Sequence, residues 1–229
     1  MPHQPHKNFP LVLTSFVGRE RETAAIKRLL ATSRLVTLTG AAGCGKTRLA
    51  LQVAAQVSRH YTGGVHWVEL APLADAGLLP RTVAGLLHVG EQPGHSSLDR
   101  LLEALHGKQL LLALDNCEHL LRGCGDLVEA LLAATEVSIL ATSREPLGVP
   151  GEQLYPVPPL ALPPRDLQAA DVGAIGPYDA IQLFVERTRA IVPAFQLTAA
   201  NALTVATICH RLDGIPLAIE LASARLNVL

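Results

Sequence analysis

Eight residues near the start of this chain have the types and the spacing that bind a nucleotide phosphate. The pattern G-x-x-x-x-G-K-[ST] is matched at every defined position by Gly40-Ala41-Ala42-Gly43-Cys44-Gly45-Lys46-Thr47. Glycines let backbone N–H groups fold around phosphate oxygens, and the N-terminus of a following helix adds partial positive charge. The pattern predicts that Lys46 reaches the β- and γ-phosphates while the Thr47 hydroxyl binds Mg²⁺.

The flanks of this stretch provide the elements that such a loop needs. Leu35 to Thr39 is a short β-branched and apolar run, which predicts a buried strand. After the loop, Leu49, Val53 and Val57 recur every fourth residue, as on an amphipathic helix. A strand, a glycine-rich turn and a helix in this order favour nucleotide binding over the alternative, a glycine-rich turn without a ligand.

A carboxylate and a guanidinium follow two later strand-like runs. Asp115 directly follows the strand-like run Gln109 to Leu114, as a Mg²⁺-organising acid requires, although a solvated aspartate at a strand end is common. Arg144 follows the run Val137 to Thr142, and in an open parallel sheet it would share the carboxyl edge with the phosphate loop. There a guanidinium could distinguish ATP from ADP by contacting the γ-phosphate; an arginine that merely begins a surface loop is the alternative.

Five strand-like runs alternate with helical patterns, which predicts an α/β fold with an open, doubly wound parallel sheet. The two remaining runs are Gly64 to Leu70 and Gln153 to Val157, and Pro156 in the latter suggests a sheet edge. Helical spacing of Leu and Ala covers Leu98 to Leu105 and Leu120 to Ala134.

Proline density then divides the chain. Prolines recur between Pro146 and Pro177 too often for regular structure. Helical runs follow at Tyr178 to Ala190 and Asn201 to Leu212, and Pro216 can open a third helix that ends at Leu226. We predict a disordered leader over residues 1–10, the α/β domain over 11–160, a linker over 161–177 and a small helical domain over 178–229.

Composition excludes several classes of protein. The 229 residues carry a formal net charge of −1, so there is no general attraction to nucleic acid or to an anionic membrane. Neither a secretory signal nor a spanning helix is visible, and a cytoplasmic protein is the default expectation. The four cysteines suggest reduced thiols; zinc ligation by Cys117, His119 and Cys124 is an alternative whose spacing matches no common site.

The chain resembles the signal-transduction ATPases with numerous domains. It is most similar to the NB-ARC-like nucleotide-binding module of large bacterial transcriptional regulators of the LuxR and antibiotic-regulatory types. The motifs that carry the resemblance occur in the family's order: Val17-Gly18-Arg19-Glu20, Gly40 to Thr47, Leu114 to His119, Ala141 to Leu147 and Gly214-Ile215-Pro216-Leu217.

The resemblance implies a P-loop NTPase whose first strand lies between the fourth and the fifth, with a C-terminal helical lid. It implies that Val17, Gly18 and Arg19 contact adenine, that Pro216 closes over the nucleotide and that Arg144 senses the γ-phosphate. The nucleotide-binding set also takes in Arg48, directly after the loop. The ligands would be ATP or ADP with Mg²⁺.

Two departures limit what the resemblance carries over. The family's winged-helix, DNA-binding and sensor domains have no counterpart here, so they are expected in a longer parent chain and no direct nucleic-acid binding is predicted for this segment. Ala42 also replaces a glycine that is frequent in the family's loop, which slightly restricts the backbone. Nucleotide-dependent self-association is compatible with this interpretation.

The leading functional interpretation is an ATP/ADP-dependent switch with slow hydrolysis. Asn116 stands where fast P-loop hydrolases commonly place a second carboxylate, and an amide cannot take a proton from water. Glu118 is the nearest other carboxylate, either as general base or as a structural acid at a helix N-terminus. A small-molecule P-loop kinase and a DNA-binding module are the alternatives.

Overall fold

A five-stranded parallel sheet forms the first of two units into which the chain divides. The structure is a computed structural model that describes residues 8–11, 13–165 and 172–225. The strands are β1 (Leu35–Thr39), β2 (Val65–Glu69), β3 (Leu111–Asp115), β4 (Ser138–Ser143) and β5 (Gln153–Pro156). Their order is β2-β3-β4-β1-β5, and all neighbours are parallel. The α/β fold and the position of the first strand between the fourth and the fifth are therefore confirmed.

Both faces of this sheet are buried. Leu112 and Leu114 of β3 belong to a core that includes apolar side chains of the later helices, whereas Leu111 and Ala113, which point to the opposite face, are buried as well. This explains why the strands appear in the sequence as continuous apolar runs. β5 lies at the edge of the sheet, where Pro156, which lacks an N–H group, pairs with Thr39.

Within the described residues, five α-helices accompany the sheet. They are α1 (Glu20–Thr32), α2 (Lys46–Val57), α3 (Leu79–Leu86), α4 (Ser97–Leu105) and α5 (Leu121–Ala134). α2 packs against β1, β3 and β4, and α4 begins with a capping box formed by Ser96 and Asp99. Neither α1 nor α3 was predicted from the sequence.

The second unit is helical. It comprises Val157 onwards together with two short segments, Ser15–Glu20 and Ala41–Gly45, and its helices are α6 (Val172–Ile175), α7 (Asp179–Ile191), α8 (Ala202–Arg211) and α9 (Pro216–Ser223). Phe184 of α7 is buried, packs edge-on against Phe195, and shares a core with Cys209 and Ile219. Ile175, inside the segment predicted as a linker, is also fully buried in this core.

Parts of all four predicted segments lie outside the described residues. These are residues 1–7 of the leader, residue 12 of the α/β domain, residues 166–171 of the linker and residues 226–229 of the helical domain, which include Leu226 at the end of its predicted third helix. Among the described helices, none has the length and apolar character needed to cross a membrane.

Candidate functional site

The two ends of the predicted phosphate loop lie in the first unit. Gly40 directly follows β1 and has a φ of 148°, and Lys46 is the first residue of α2. The side chain of Lys46 is buried, and its Nζ donates a hydrogen bond of 2.8 Å to the carbonyl oxygen of Gly40. The ammonium group is thus held at the loop, and the N–H groups of the first turn of α2, which follows the loop, have no acceptor within the helix. Positive charge and N–H donors are the chemistry that phosphate requires.

The tip of the loop, Ala41–Gly45, belongs to the helical unit. Gly43 and Gly45 have φ values of 75° and 93°, in the region that favours glycine. The N–H of Leu217 in α9 donates to the carbonyl oxygen of Gly43 at 3.3 Å, and a Cβ added to Gly43 would lie 3.0 Å from the Cβ of Leu217. A Cβ added to Gly45 would lie 3.7 Å from Cγ of Pro216. The first turn of α9 therefore contacts the loop tip directly.

Arg19 fixes the predicted adenine-contacting segment to the same loop tip. Its buried guanidinium donates through Nη2 to the carbonyl oxygens of Cys44, at 2.6 Å, and Pro158, at 3.0 Å. Its backbone N–H donates to Oδ2 of Asp179 at 3.2 Å. Gly18 is required by this close approach, because it has a φ of 66° and an added Cβ would fall 2.2 Å from Cγ of Asp179. Sequence reasoning missed Asp179, for which no local motif gives a signal.

Asp115, at the end of β3, is the centre of a hydrogen-bonded cluster. Its Oδ1 accepts hydrogen bonds from the hydroxyl of Thr47, at 2.8 Å, and from that of Thr142, at 2.6 Å. The hydroxyl oxygen of Thr142 in turn accepts the backbone N–H of Asn116 at 2.9 Å. Three segments distant in sequence are thereby joined: the start of α2, the end of β3 and β4. The sequence predicts no role for Thr142, which stands in the motif that leads to Arg144.

The environment of Asp115 suits a bound cation. Only 7% of the residue is exposed, and this burial raises the pKa of its carboxyl above the ordinary value of 3.8. The hydroxyls of Thr142 and Thr47 oppose the rise in pKa, whereas the nearby negative charges of Glu69 and Glu118 add to it. A carboxylate, a hydroxyl and phosphate oxygens are the ligands that Mg²⁺ takes in phosphate sites, so these residues fit the metal.

Arg144 and Glu118 are ion-paired with each other. Nε of Arg144 lies 3.2 Å from Oε1 of Glu118, and the exposed fractions of the two side chains are 61% and 19%. The other carboxylate oxygen of Glu118 is buried and has no hydrogen-bond partner among the described residues. Glu118 lies in a 3₁₀ turn, Cys117–Leu120, rather than in the first turn of α5. The helical segment after Asn116, whose φ is 68°, thus begins as a 3₁₀ turn that continues directly into α5, and Glu118 is the acidic residue of its first turn.

Other predicted residues are placed differently. The guanidinium of Arg48 donates to the hydroxyl and carbonyl oxygens of Thr14. Ala41 and Ala42, at the loop tip, are exposed. The ring nitrogens of His119 meet the amide of Asn116 and the carbonyl oxygen of Leu73, and the described residues contain no cluster of three or more His, Cys, Asp or Glu that could hold a metal. The zinc alternative thus finds no support in the described part of the chain.

A family comparison agrees with this geometry. The family model described as AAA domain matches residues 9–143, more than half of the chain. The chain therefore belongs to the AAA domain family.

Relatives and a solved structure extend the comparison. An uncharacterised protein of Mycobacterium tuberculosis is 43% identical over 95% of this chain and 52% of its own length. A second protein of Mycobacterium tuberculosis, provisionally named an HTH-type transcriptional regulator, is 42% identical over 88% of this chain and 21% of its own length. The chain thus spans about half the length of the first relative and about a fifth of the second.

Among solved structures, the signal transduction ATPase with numerous domains from Pyrococcus horikoshii, which carries a tetratricopeptide repeat sensor, has a TM-score of 0.57. It is 18% identical and covers 90% of this chain and 29% of its own. At that identity the likeness shows the fold alone.

Proposed function

We propose that this chain is an ATP/ADP-binding regulatory switch with slow, Mg²⁺-dependent ATP hydrolysis. The observation that carries the proposal is the cluster in which the hydroxyl of Thr47, the last residue of the phosphate-loop motif, donates to Asp115 at the end of β3. Thr47 and Asp115 are 68 positions apart, so their contact is not imposed by local chain geometry and depends on the fold. A site that holds a metal ion on nucleotide phosphates requires a hydroxyl and a carboxylate to lie this close together.

Each residue of the first unit would have a defined task. Lys46 and the N-terminal N–H groups of α2 would bind the phosphates. Thr47 and Asp115 would hold Mg²⁺, and Thr142 would keep the carboxylate of Asp115 in place. When bound, the metal supplies positive charge that offsets the charge of the phosphate oxygens.

The helical unit would report the state of the nucleotide. Its α9 and Arg19 contact the loop tip through the carbonyl oxygens of Gly43 and Cys44. A ligand that orders the loop would therefore change the free energy of these contacts, which is the differential interaction that a switch needs. In this proposal adenine is contacted by Val17, Gly18 and Arg19. Pro216, at the start of α9, closes over the nucleotide.

The switch would be the NB-ARC-like nucleotide-binding part of a longer regulator. The relative named as an HTH-type transcriptional regulator is about five times as long as the stretch it shares with this chain. DNA-binding and sensor domains would lie in such additional sequence, and this segment, with its net charge of −1, would not bind nucleic acid itself. The proposed location of the protein is the cytoplasm. The proposal also includes self-association that depends on the bound nucleotide.

Slow hydrolysis follows from the residue after Asp115. Asn116 is an amide, and its Nδ2 donates to Nδ1 of His119 at 3.2 Å. It can neither accept a proton nor replace the general base, whose contribution is typically 10²–10⁴-fold. We therefore expect turnover well below the median enzyme rate of about 10 s⁻¹.

The test is Mg²⁺-dependent ATP turnover by the purified chain. Asp115→Asn is expected to abolish the Mg²⁺-dependent activity, since the amide weakens the metal site. The matched control is Asp126→Asn, which changes an exposed aspartate of α5 and should leave turnover unchanged. Rapid multiple-turnover hydrolysis that survives Asp115→Asn would refute the mechanism.

A further inference from the structure

Arg144 and Glu118 connect the ends of two neighbouring strands. We propose that Glu118 is the positioning residue that presents the guanidinium of Arg144 to the γ-phosphate of ATP, and is not the general base of hydrolysis. The inference rests on the proposed function, because it requires ATP at the phosphate loop. It assigns Glu118 to the discrimination of ATP from ADP.

The geometry places both residues at one edge of the sheet. β3 and β4 are parallel neighbours in which Leu114 pairs with Ala141, so the segments that follow them leave the sheet side by side. Glu118 engages only Nε of Arg144, at 3.2 Å. The structure gives the two terminal nitrogens of Arg144 no hydrogen bond within the described residues. These nitrogens carry four of the five guanidinium N–H donors, in the fork that suits phosphate oxygens.

Glu118 is the fixed member of the pair. Its turn is held on both sides: the Sγ of Cys117 donates to the carbonyl oxygen of Leu114, and Nε2 of His119 lies 2.9 Å from the carbonyl oxygen of Leu73. The Glu118 side chain is 19% exposed, whereas that of Arg144 is 61% exposed. A long exposed side chain loses rotamer freedom when it binds a ligand. An anchored carboxylate on Nε would reduce that loss before ATP arrives.

The same contacts count against Glu118 as general base. A general base must lie within hydrogen-bond reach of the water whose proton it takes. Oε1 of Glu118 is occupied by Arg144, and Oε2 is buried and has no partner among the described residues. The carboxylate of Glu118 is thus already paired with Arg144, which favours the positioning role.

The experiment compares the affinities for Mg²⁺-ADP and for a non-hydrolysable Mg²⁺-ATP analogue by calorimetry. Glu118→Ala is expected to weaken analogue binding by roughly 1.5- to fivefold, the range of a partly exposed ion pair, and to leave ADP binding unchanged. Glu118→Gln should lose less, because its amide oxygen still accepts Nε. The double variant Glu118→Ala/Arg144→Ala should be no weaker than Arg144→Ala alone. Glu91→Gln, which removes the carboxylate of the exposed Arg81–Glu91 pair, is the control and should change neither affinity.

Single-turnover hydrolysis at saturating ATP separates the two roles of Glu118. A positioning residue predicts that Glu118→Gln slows the step by less than about tenfold, and by no more than Arg144→Ala does. A fall of 10²-fold or more with an unchanged ratio of ATP-analogue to ADP affinity would identify the base instead and overturn the proposal. If Arg144→Ala changes that ratio and Glu118→Ala does not, the positioning role fails while the sensor role of Arg144 stands. If wild-type protein binds neither nucleotide, the proposed function itself is wrong.

Discussion

The burial of the Asp115 carboxylate is energetically unfavourable, and the position of this residue in the site explains why it is nevertheless present. The carboxylate is almost completely buried, and its Oδ1 accepts two hydroxyl hydrogen bonds that only partly compensate for lost hydration. Burial consequently raises its pKa in the folded protein. In an enzyme-like site such a group is retained because a bound cation favours the ionised form.

The raised pKa of Asp115 predicts how the stability of the ligand-free protein depends on pH. Because the folded-state pKa of Asp115 is raised above 3.8, the folded state binds the proton more tightly than the unfolded state does. The free energy of unfolding therefore falls as pH rises from about 3.8 through the folded-state pKa, and the loss is complete above it. Asp115→Asn should remove this contribution and raise the melting temperature near pH 7, but not below pH 4.

Thermal unfolding followed by circular dichroism from pH 3.5 to pH 8, without nucleotide or Mg²⁺, checks the prediction. Asp126→Asn again serves as the control, since that residue is exposed. A melting temperature for Asp115→Asn below wild type across the whole range would show that the hydroxyl contacts outweigh the burial of the charge.

The sequence was informative for residues whose chemistry a contiguous motif imposes. The loop pattern predicts the roles of Lys46 and Thr47, and the end of an apolar run predicts that of Asp115. The hydrogen bond from Thr142 to Asp115 and the pairing of Arg144 with Glu118 could not be predicted. These contacts depend on which strands are neighbours and in what register, and one sequence does not determine either.

At the scale of elements, strands were predicted more reliably than helices. β1 has the predicted bounds, and β3 ends one residue later than the predicted run, at Asp115 itself. A strand covered on both faces is apolar throughout, which is a strong signal. α3 was missed because it has only eight residues, although Pro80 in its first turn marks a helix start. α1 was missed as well, and only three of its residues are buried.

The loop tip offers an element-scale test at Gly43. Gly43→Ala should destabilise the protein and weaken Mg²⁺-ADP binding, because the added Cβ meets Leu217 at 3.0 Å and the φ is 75°. Gly151→Ala is the matched control: its φ is 83°, with nothing within 4 Å of the added Cβ. Both variants should lose about 1 kcal/mol of stability from the left-handed backbone. Only Gly43→Ala should also lose ADP affinity by calorimetry; equal affinities in both variants would contradict a role for the loop tip.

At the scale of the whole molecule, the chain passes between its two units within the phosphate loop. Gly40 and Lys46 belong to the sheet unit, and the residues between them to the helical unit. The backbone of this loop is therefore covalently continuous with both units. In the proposed switch, the nucleotide changes the stability of the helical unit through the loop tip.

Hydrogen exchange measures this coupling. Mg²⁺-ADP should slow amide exchange in α7 and α9, and Pro216→Ala should reduce that protection and speed ADP release, with little change in the strands. The control is Pro193→Ala, which alters an exposed proline after α7 and should behave as wild type. Identical exchange over residues 178–225 with and without ADP would show that the helices are not coupled to the nucleotide.

The most direct test of the account is the affinity of the folded chain for Mg²⁺-ADP, measured by calorimetry for wild type, Lys46→Ala and Lys27→Ala. Lys27 is a matched control, because its ammonium group donates to the exposed side chain of Gln56. A charge-assisted hydrogen bond to phosphate is worth roughly 1.5–3 kcal/mol, so Lys46→Ala should bind ADP about ten- to a hundredfold more weakly. Lys27→Ala should bind as wild type does. Unchanged ADP affinity in a folded Lys46→Ala protein would contradict the assignment of the phosphate loop.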